Sequence, residues 1–290
     1  MSHRGMLVRT VVSSPGNFTQ PQSSGLEIEY VQISDPGRVR GHNEDFLGCV
    51  PADTPARRNT HGWLFALADG VGGHDKGEVA SRLAIETLLA GFREAVAGEP
   101  HPSLLQRLVQ AANIQVYETG RGASPGGIAM ATTVVACALR FDRAAIAHVG
   151  DSRCYLIRQG RANLLTRDHT VVNDQMRLGI LSAKEAAQSE ARHVLSRSLG
   201  NDLFVGVETS DHQILPGDVF LLCSDGLHGA VEGPEFAEMV TRTADLQDAA
   251  SSLVALANER DGGDNISVQL IRVRGVERVG MYRGRPYRLR

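Results

Sequence analysis

The chain has 290 residues, a formal charge of −3 at neutral pH, 42% hydrophobic residues and 22% charged ones, which excludes a general nucleic-acid binder, a disordered chain and a membrane protein. Its four cysteines, Cys49, Cys137, Cys154 and Cys223, are scattered without a C-x-x-C pair, so neither a thiolate zinc site nor a disulfide framework is signalled. Glycine is the outlier, 31 of 290 residues or about 11% where usage is ordinarily roughly 7%.

Residues 1–26 are rich in Ser, Gly, Pro, Gln and Asn without periodicity, which predicts a disordered leader. Their short apolar pieces, broken by Arg9 and Thr10, are too small for a signal-peptide core, so a cytoplasmic protein is expected. Apolar runs rich in β-branched residues then predict strands over 29–34 and 63–68. A stripe of Ala80, Ala84, Leu88 and Ala95, with Leu83 and Phe92 beside it, predicts a helix. Leu105, Leu108, Val109, Ala112 and Val116 keep the same helical spacing and predict a second. Strands are predicted over 132–140, 144–149 and 154–158; the most apolar stretch, 128–139, falls short of the roughly 18 residues needed to span a bilayer. Residues 168–200 read as loop and short helices, with Ser182 as an N-cap and Glu185 three residues later. A strand over 219–223, a helix carrying Leu246, Ala249, Ala250, Leu253 and Ala257, and a strand over 266–273 complete a folded unit of 27–273. The last segment, 274–290, is a basic tail in which Arg278, Arg283, Arg285, Arg288 and Arg290 interleave with Tyr282 and Tyr287; it is either solvated or a contact for an anionic partner. Long helices placed between early and late strands favour an α+β layered domain over a regular β-α-β alternation.

Aspartates and glycines recur where strands end. Asp69-Gly70, Gly150-Asp151, Ser224-Asp225-Gly226 and Gly263-Asp264-Asn265 each abut an apolar strand. A single Asp-Gly pair is an ordinary turn. Strand ends at one edge of a sheet can converge, however, and clustered carboxylates stay ionised together only when a cation neutralises them, so a polynuclear metal site is the hypothesis. Oxygen-only ligands select Mg²⁺ or Mn²⁺, and a neighbouring glycine lets the backbone approach the ion and offer its carbonyl. Two other motifs are dismissed. Gly122-Ala123-Ser124-Pro125-Gly126 has the G-x-S-x-G spacing of a nucleophile elbow, but Pro125 lacks the N–H an oxyanion hole needs, and Gly70-Val71-Gly72-Gly73 lacks the spacing of a nucleotide-binding loop.

Five motifs in order are Arg40-x-x-Asn43-Glu44-Asp45, Asp69-Gly70-Val71-Gly72-Gly73-His74 with Gly77-Glu78-x-Ala80-Ser81, Gly150-Asp151-Ser152-Arg153, Ser224-Asp225-Gly226-Leu227 and Gly263-Asp264-Asn265. Together, over roughly residues 27–273, the chain resembles the bacterial metal-dependent Ser/Thr protein phosphatases of the 2C type, the PPM family. The resemblance implies a four-layer α-β-β-α sandwich, two antiparallel sheets flanked by helix pairs, with two Mn²⁺ or Mg²⁺ ions at one end. It implies Glu44, Asp69 and the Gly70 carbonyl as ligands of one ion and Asp69, Asp225 and Asp264 of the other, with Asp69 bridging and catalytic. Asp151 is similar to the carboxylate that holds a third, weaker ion, and Arg40 to the arginine that binds the substrate phosphate. Asp45 and Asn265 fit roles behind the ligands, orienting them or the metal-bound waters. The implied reaction is hydrolysis of phosphoserine and phosphothreonine by in-line attack of a metal-bridging hydroxide, with no covalent phosphoenzyme.

The chain also departs from the family pattern. Val71 stands where animal relatives carry a histidine proposed as general acid, leaving that acid unassigned with His74 nearby. Gly229 stands four residues after Asp225 where Asp or Asn is usual, and Ala131 replaces a glycine before Thr132-Thr133. By resemblance, 168–200 is the mobile flap that shapes substrate access. The implied partners are phosphoproteins, a Ser/Thr kinase and its targets, with a monomer as the default state. The alternative is a non-catalytic phosphoprotein binder built on the same fold.

Overall fold

The computed structural model describes residues 25–71, 76–122, 130–277, 279–282 and 285–288. The first half of the chain forms β1 (Glu27–Asp35), β2 (Asp45–Val50), α1 (Pro55–Thr60), β3 (Trp63–Asp69), α2 (Gly77–Arg93), α3 (His101–Gly122), β4 (Val134–Arg140) and β5 (Arg143–Val149). Next come β6 (Arg153–Arg158), β7 (Arg161–Leu164), α4 (Val171–Arg177), α5 (Ala183–Gln188), a 3₁₀ turn at Glu190–His193 and β8 (Glu208–Gln213). The chain continues through β9 (Val219–Cys223), α6 (Asp225–His228), α7 (Gly233–Arg242), α8 (Leu246–Arg260) and β10 (Ile266–Gly275), and then a two-stranded hairpin of β11 (Val279–Tyr282) and β12 (Arg285–Arg288).

Two five-stranded sheets, in the orders β1-β10-β9-β6-β7 and β2-β3-β4-β5-β8, are antiparallel throughout. Their apolar strands are buried on both faces because each sheet lies between a helix pair and the other sheet. Alternation along β3 shows it: Leu64, Ala66 and Ala68 pack with the apolar faces of α2 and α3, while Trp63, Phe65 and Leu67 fill the space between the sheets. On the second sheet Val219, Leu221 and Cys223 pack with α7 and α8, and Phe220 and Leu222 meet the first sheet. This is the expected four-layer sandwich. A polar tie also crosses the layers, since Gln269 Nε2 on β10 donates to Gln32 Oε1 (2.5 Å) on β1 and to the Gly48 carbonyl (3.1 Å) on β2. It joins the strands whose ends carry the acidic motifs.

The helical stripe of α2 is buried at Ala80, Ala84, Leu88 and Phe92, whereas Ala95 lies past the helix end. Ser182 and Glu185 form the expected capping box on α5. β2, β7, β8 and α7 were not anticipated. The run from Thr132 begins as a strand only at Val134, and Leu26, assigned to the leader, is 6% exposed and packs between the sheets. β10 runs on to Gly275, two residues into the expected basic tail, and β11 pairs with β12 beyond it. The leader before residue 25, His74 and most of the Gly122-to-Gly126 motif lie outside the described residues. Among the described residues no helix is long and apolar enough to cross a membrane.

His101, the first residue of α3, packs against Phe92, and its Nε2 is buried without a partner. Burial pushes its pKa down to about 4, with Arg140 adding to the effect. Below the ordinary histidine value the unfolded chain takes up a proton that the native state refuses, so stability falls as pH drops from the unfolded value toward the folded one. A His101→Leu variant should therefore gain on the wild type by about 2 kcal/mol between about pH 7 and about pH 5, read from the difference between their melting curves.

Candidate active site

Four of the sequence-marked acids meet because strand ends meet. Asp45 opens β2 directly opposite Asp69, which closes β3. The next strand fixes Asp69 from the other side: Thr133 N donates to the Asp69 carbonyl (2.8 Å), and Asp69 N donates to Thr133 Oγ1 (3.0 Å). From the second sheet come Asp225, the first residue of α6 after β9, and Asp264, two residues before β10. Asp151 sits in the turn between β5 and β6, its carbonyl bonded to His228 Nε2 (3.0 Å). Arg40, Asp69, Gly70, Asp151, Asp225 and Asp264 all line one open cavity of about 790 Å³, together with Gly229.

Glu44 and Asn265 are not among the residues lining this cavity, and they are bonded to each other. Asn265 Oδ1 accepts from Glu44 N (2.8 Å), and its Nδ2 donates to the carbonyls of Pro36 and His42 (3.0 and 2.9 Å). One side chain thus ties the motif-bearing loop before β2 to the start of β10. Ser224 Oγ donates to Asp45 Oδ2 (2.7 Å). Gly70 is required by crowding: a Cβ there would lie 2.5 Å from the Gly77 carbonyl and 2.8 Å from the Glu44 carbonyl. Gly150 is required by conformation, with φ +103°. These requirements stand beside the expected approach of the backbone to an ion and do not replace it.

The carboxylates are short of positive charge. Desolvation, and then the neighbouring Asp45, Asp225, Asp151 and Asp264, raise the Asp69 pKa well above the usual range. Desolvation and Asp225 bring Asp151 to about 7. Asp45 also reaches about 7, through burial that hydrogen bonds from Ser267 and Ser224 only partly offset. The Asp225 pKa is likewise raised by desolvation and Asp264, and its carboxyl comes within hydrogen-bonding reach of Asp69. Asp45 Oδ1 is buried with no hydrogen-bond partner. Carboxyls that lean on one another, with an orphaned acidic oxygen behind them, fit an all-oxygen site for hard divalent cations. Among the described residues the cation bonded to this cluster is Arg40, whose Nη2 lies 2.8 Å from Asp264 Oδ2.

Sequence reading missed a second titratable cluster. His148, His169 and Glu208 offer ligand atoms within 4.8 Å of one another. Both rings are already engaged. His148 Nε2 lies 2.9 Å from the Arg167 carbonyl and 3.1 Å from Arg167 N, and His169 Nδ1 accepts from Gly150 N (3.1 Å), which leaves the proton on Nε2 facing Glu208 Oε1 at 3.2 Å. Desolvation works against the Glu208 carboxylate, but Arg167 and His169 outweigh it and hold its pKa down to about 2. The cluster is a charge network that ties the segment after β7 to the turn bearing Asp151, and the aspartates are the better cation site. Also missed were Arg192 and His193 of the 3₁₀ turn, which line the cavity from the 168–200 segment.

A cleft of converging carboxylates that Arg40 and Arg192 also line, set at the end of a two-sheet sandwich, defines a metal-dependent enzyme acting on an anionic ester. A family model for protein phosphatase 2C matches residues 42–259. The serine/threonine phosphatase Stp of Listeria monocytogenes is 34% identical over 243 residues, 82% of this chain and 93% of that one. The structure of a Streptococcus agalactiae serine/threonine phosphatase superposes with a TM-score of 0.77 at 33% identity, covering 85% of this chain and all of the other. The catalytic domain of the phosphatase PstP in complex with two manganese ions superposes with a TM-score of 0.72 at 31% identity, over 86% of this chain and all of that one. The chain belongs to the protein phosphatase 2C family, and it is a metal-dependent protein serine/threonine phosphatase.

Proposed function

We propose that one Mn²⁺ or Mg²⁺ is held by Glu44, Asp69 and the Gly70 carbonyl and a second by Asp69, Asp225 and Asp264, with Asp151 and Asp225 facing a third, weaker ion beside Gly229. The observation that carries this reading is the convergence of Asp69, Asp151, Asp225 and Asp264 on one cavity with Arg40. Divalent ions bound there would acidify water and supply a nucleophile at neutral pH. The guanidinium fork of Arg40 binds two oxygens of the substrate phosphate and orients the phosphorus toward the aspartates. Asp45, held by Ser224, and Asn265, held by three backbone groups, keep the ligand-bearing loops in place.

The natural substrates we infer are phosphoserine and phosphothreonine proteins of a bacterial cytoplasm, modified by a Ser/Thr kinase that this enzyme opposes. Phosphoproteomics of a deletion strain, where the kinase's targets should accumulate phosphate, tests that pairing. The metal assignment has a simpler test. Dephosphorylation of a phosphothreonine peptide should fall at least about 100-fold on chelation and return with added Mn²⁺ or Mg²⁺. Activity that persists in excess chelator would overturn the assignment.

A further inference from the structure

The reaction needs a proton on its leaving group. A seryl or threonyl oxygen departs poorly as an alkoxide, and a positioned acid ordinarily contributes about 10²- to 10⁴-fold. Val71 offers no proton, and His74 is outside the described residues. Among the described residues that line the cavity, Asp69, Asp151, Asp225 and Asp264 belong to the proposed ion site, Asp261 is a carboxylic acid, a type that ordinarily has no proton to give near neutrality, and Arg40 and Arg192 are guanidinium groups that do not release theirs. Histidine is the residue type whose charge changes near neutrality, and the one histidine among these lining residues is His193.

Its position is built by the 168–200 segment. His193 ends the 3₁₀ turn Glu190–His193, exposed toward the cavity. The chain beyond it is anchored, because Val171 N donates to the Val194 carbonyl and Ser196 N to the His169 carbonyl, both at 2.8 Å. The charged groups around it are Glu190 and Arg192 on its own turn, Asp174 and Arg177 on α4, and Lys184 and Glu185 on α5, the two helices packed against that turn. Asp225 lines the same cavity as His193.

We propose that His193 is the general acid of the reaction, donating a proton from its imidazolium to the departing seryl or threonyl oxygen. The proposal rests on the site assignment above. As water adds to phosphorus, the bond from phosphorus to the substrate oxygen breaks and its electron pair stays on that oxygen. The oxygen takes the His193 proton and leaves as the free hydroxyl, the attacking water keeps one proton on the product phosphate and releases the other to solvent, and the imidazole regains a proton from solvent.

The test compares leaving groups in a His193→Gln variant with Mn²⁺ supplied. For a phosphoserine peptide kcat/KM should fall about 100-fold or more. For p-nitrophenyl phosphate, whose phenolate leaves without help, the fall should be smaller by at least about tenfold. The alkaline limb of the wild-type pH profile on the peptide should disappear as well. Equal losses on the two substrates, or no loss on the peptide, would overturn the role of His193. A wild type that hydrolyses neither substrate with Mn²⁺ would instead overturn the site assignment. Residual Mn²⁺-dependent turnover of p-nitrophenyl phosphate reports that the variant is folded.

Discussion

Replacing Asp69 by asparagine should abolish Mn²⁺-dependent phosphatase activity while raising the melting temperature of the metal-free protein. The side chain sits where both sheets deliver acids, with Asp45, Asp225, Asp151 and Asp264 all acting on it. In the proposed site it is the ligand shared by two ions, so its loss removes several kcal/mol of charge stabilisation and slows turnover by about 10³-fold or more. Stability should move the other way. A carboxyl whose folded pKa is raised costs folding energy once the pH exceeds its unfolded value, and the neutral amide removes that cost. A gain of about 1 kcal/mol corresponds to roughly 2–4 °C in a chain of this size. The Asp69→Asn change preserves size and shape, and its backbone bonds to Thr133 are unaffected. Activity within about tenfold of wild type would remove Asp69 from the centre of the site.

The acids were legible because their signal is local. An apolar run followed by Asp and Gly marks a strand end whatever the rest of the chain does, and the order of those junctions carried the family resemblance and the layer architecture with it. β8 left no such mark: Glu208–Gln213 is an edge strand of polar residues, and alternating exposure gives it no apolar period. β2 was obscured by Gly48, a poor strand residue over which the Leu89 side chain of α2 packs, 2.7 Å from where a Cβ would stand. α7 is short, and only Phe236, Ala237 and Val240 are buried, too few for a periodic stripe. The charge network on Glu208 joins residues from separate stretches of chain, 148–150, 167–169 and 208 among them, and no spacing announces it. His193 was hidden for the same reason, since its importance comes from where the 3₁₀ turn is set down beside the cavity. The structure adds a local reason for two of the glycines, a close backbone approach at Gly70 and a positive φ at Gly150.

Arg40→Ala should separate catalysis from metal binding. In the structure Arg40 Nη2 bonds Asp264 Oδ2 at 2.8 Å, and that hydrogen bond is the main cause of its raised pKa, with Glu44 and Asp225 adding to it. Both partners of the ion pair are well exposed, 42% and 37%, so the pair itself adds little to stability. Its significance is competitive, because in the proposed site a divalent ion claims the same Asp264 carboxylate and leaves the guanidinium to the phosphate. Truncation then removes a charge-assisted, two-pronged grip on the substrate, and kcat/KM for a phosphopeptide should fall about 10²- to 10³-fold. Mn²⁺ affinity, measured by calorimetry without substrate, should hold or tighten because a competing cation has left Asp264. Arg40→Lys should recover little of the lost rate, since an ammonium cannot reproduce the planar fork. If Arg40→Ala instead weakened Mn²⁺ binding in step with the loss of rate, the arginine would belong to the metal scaffold, and its assignment to the substrate phosphate would fail.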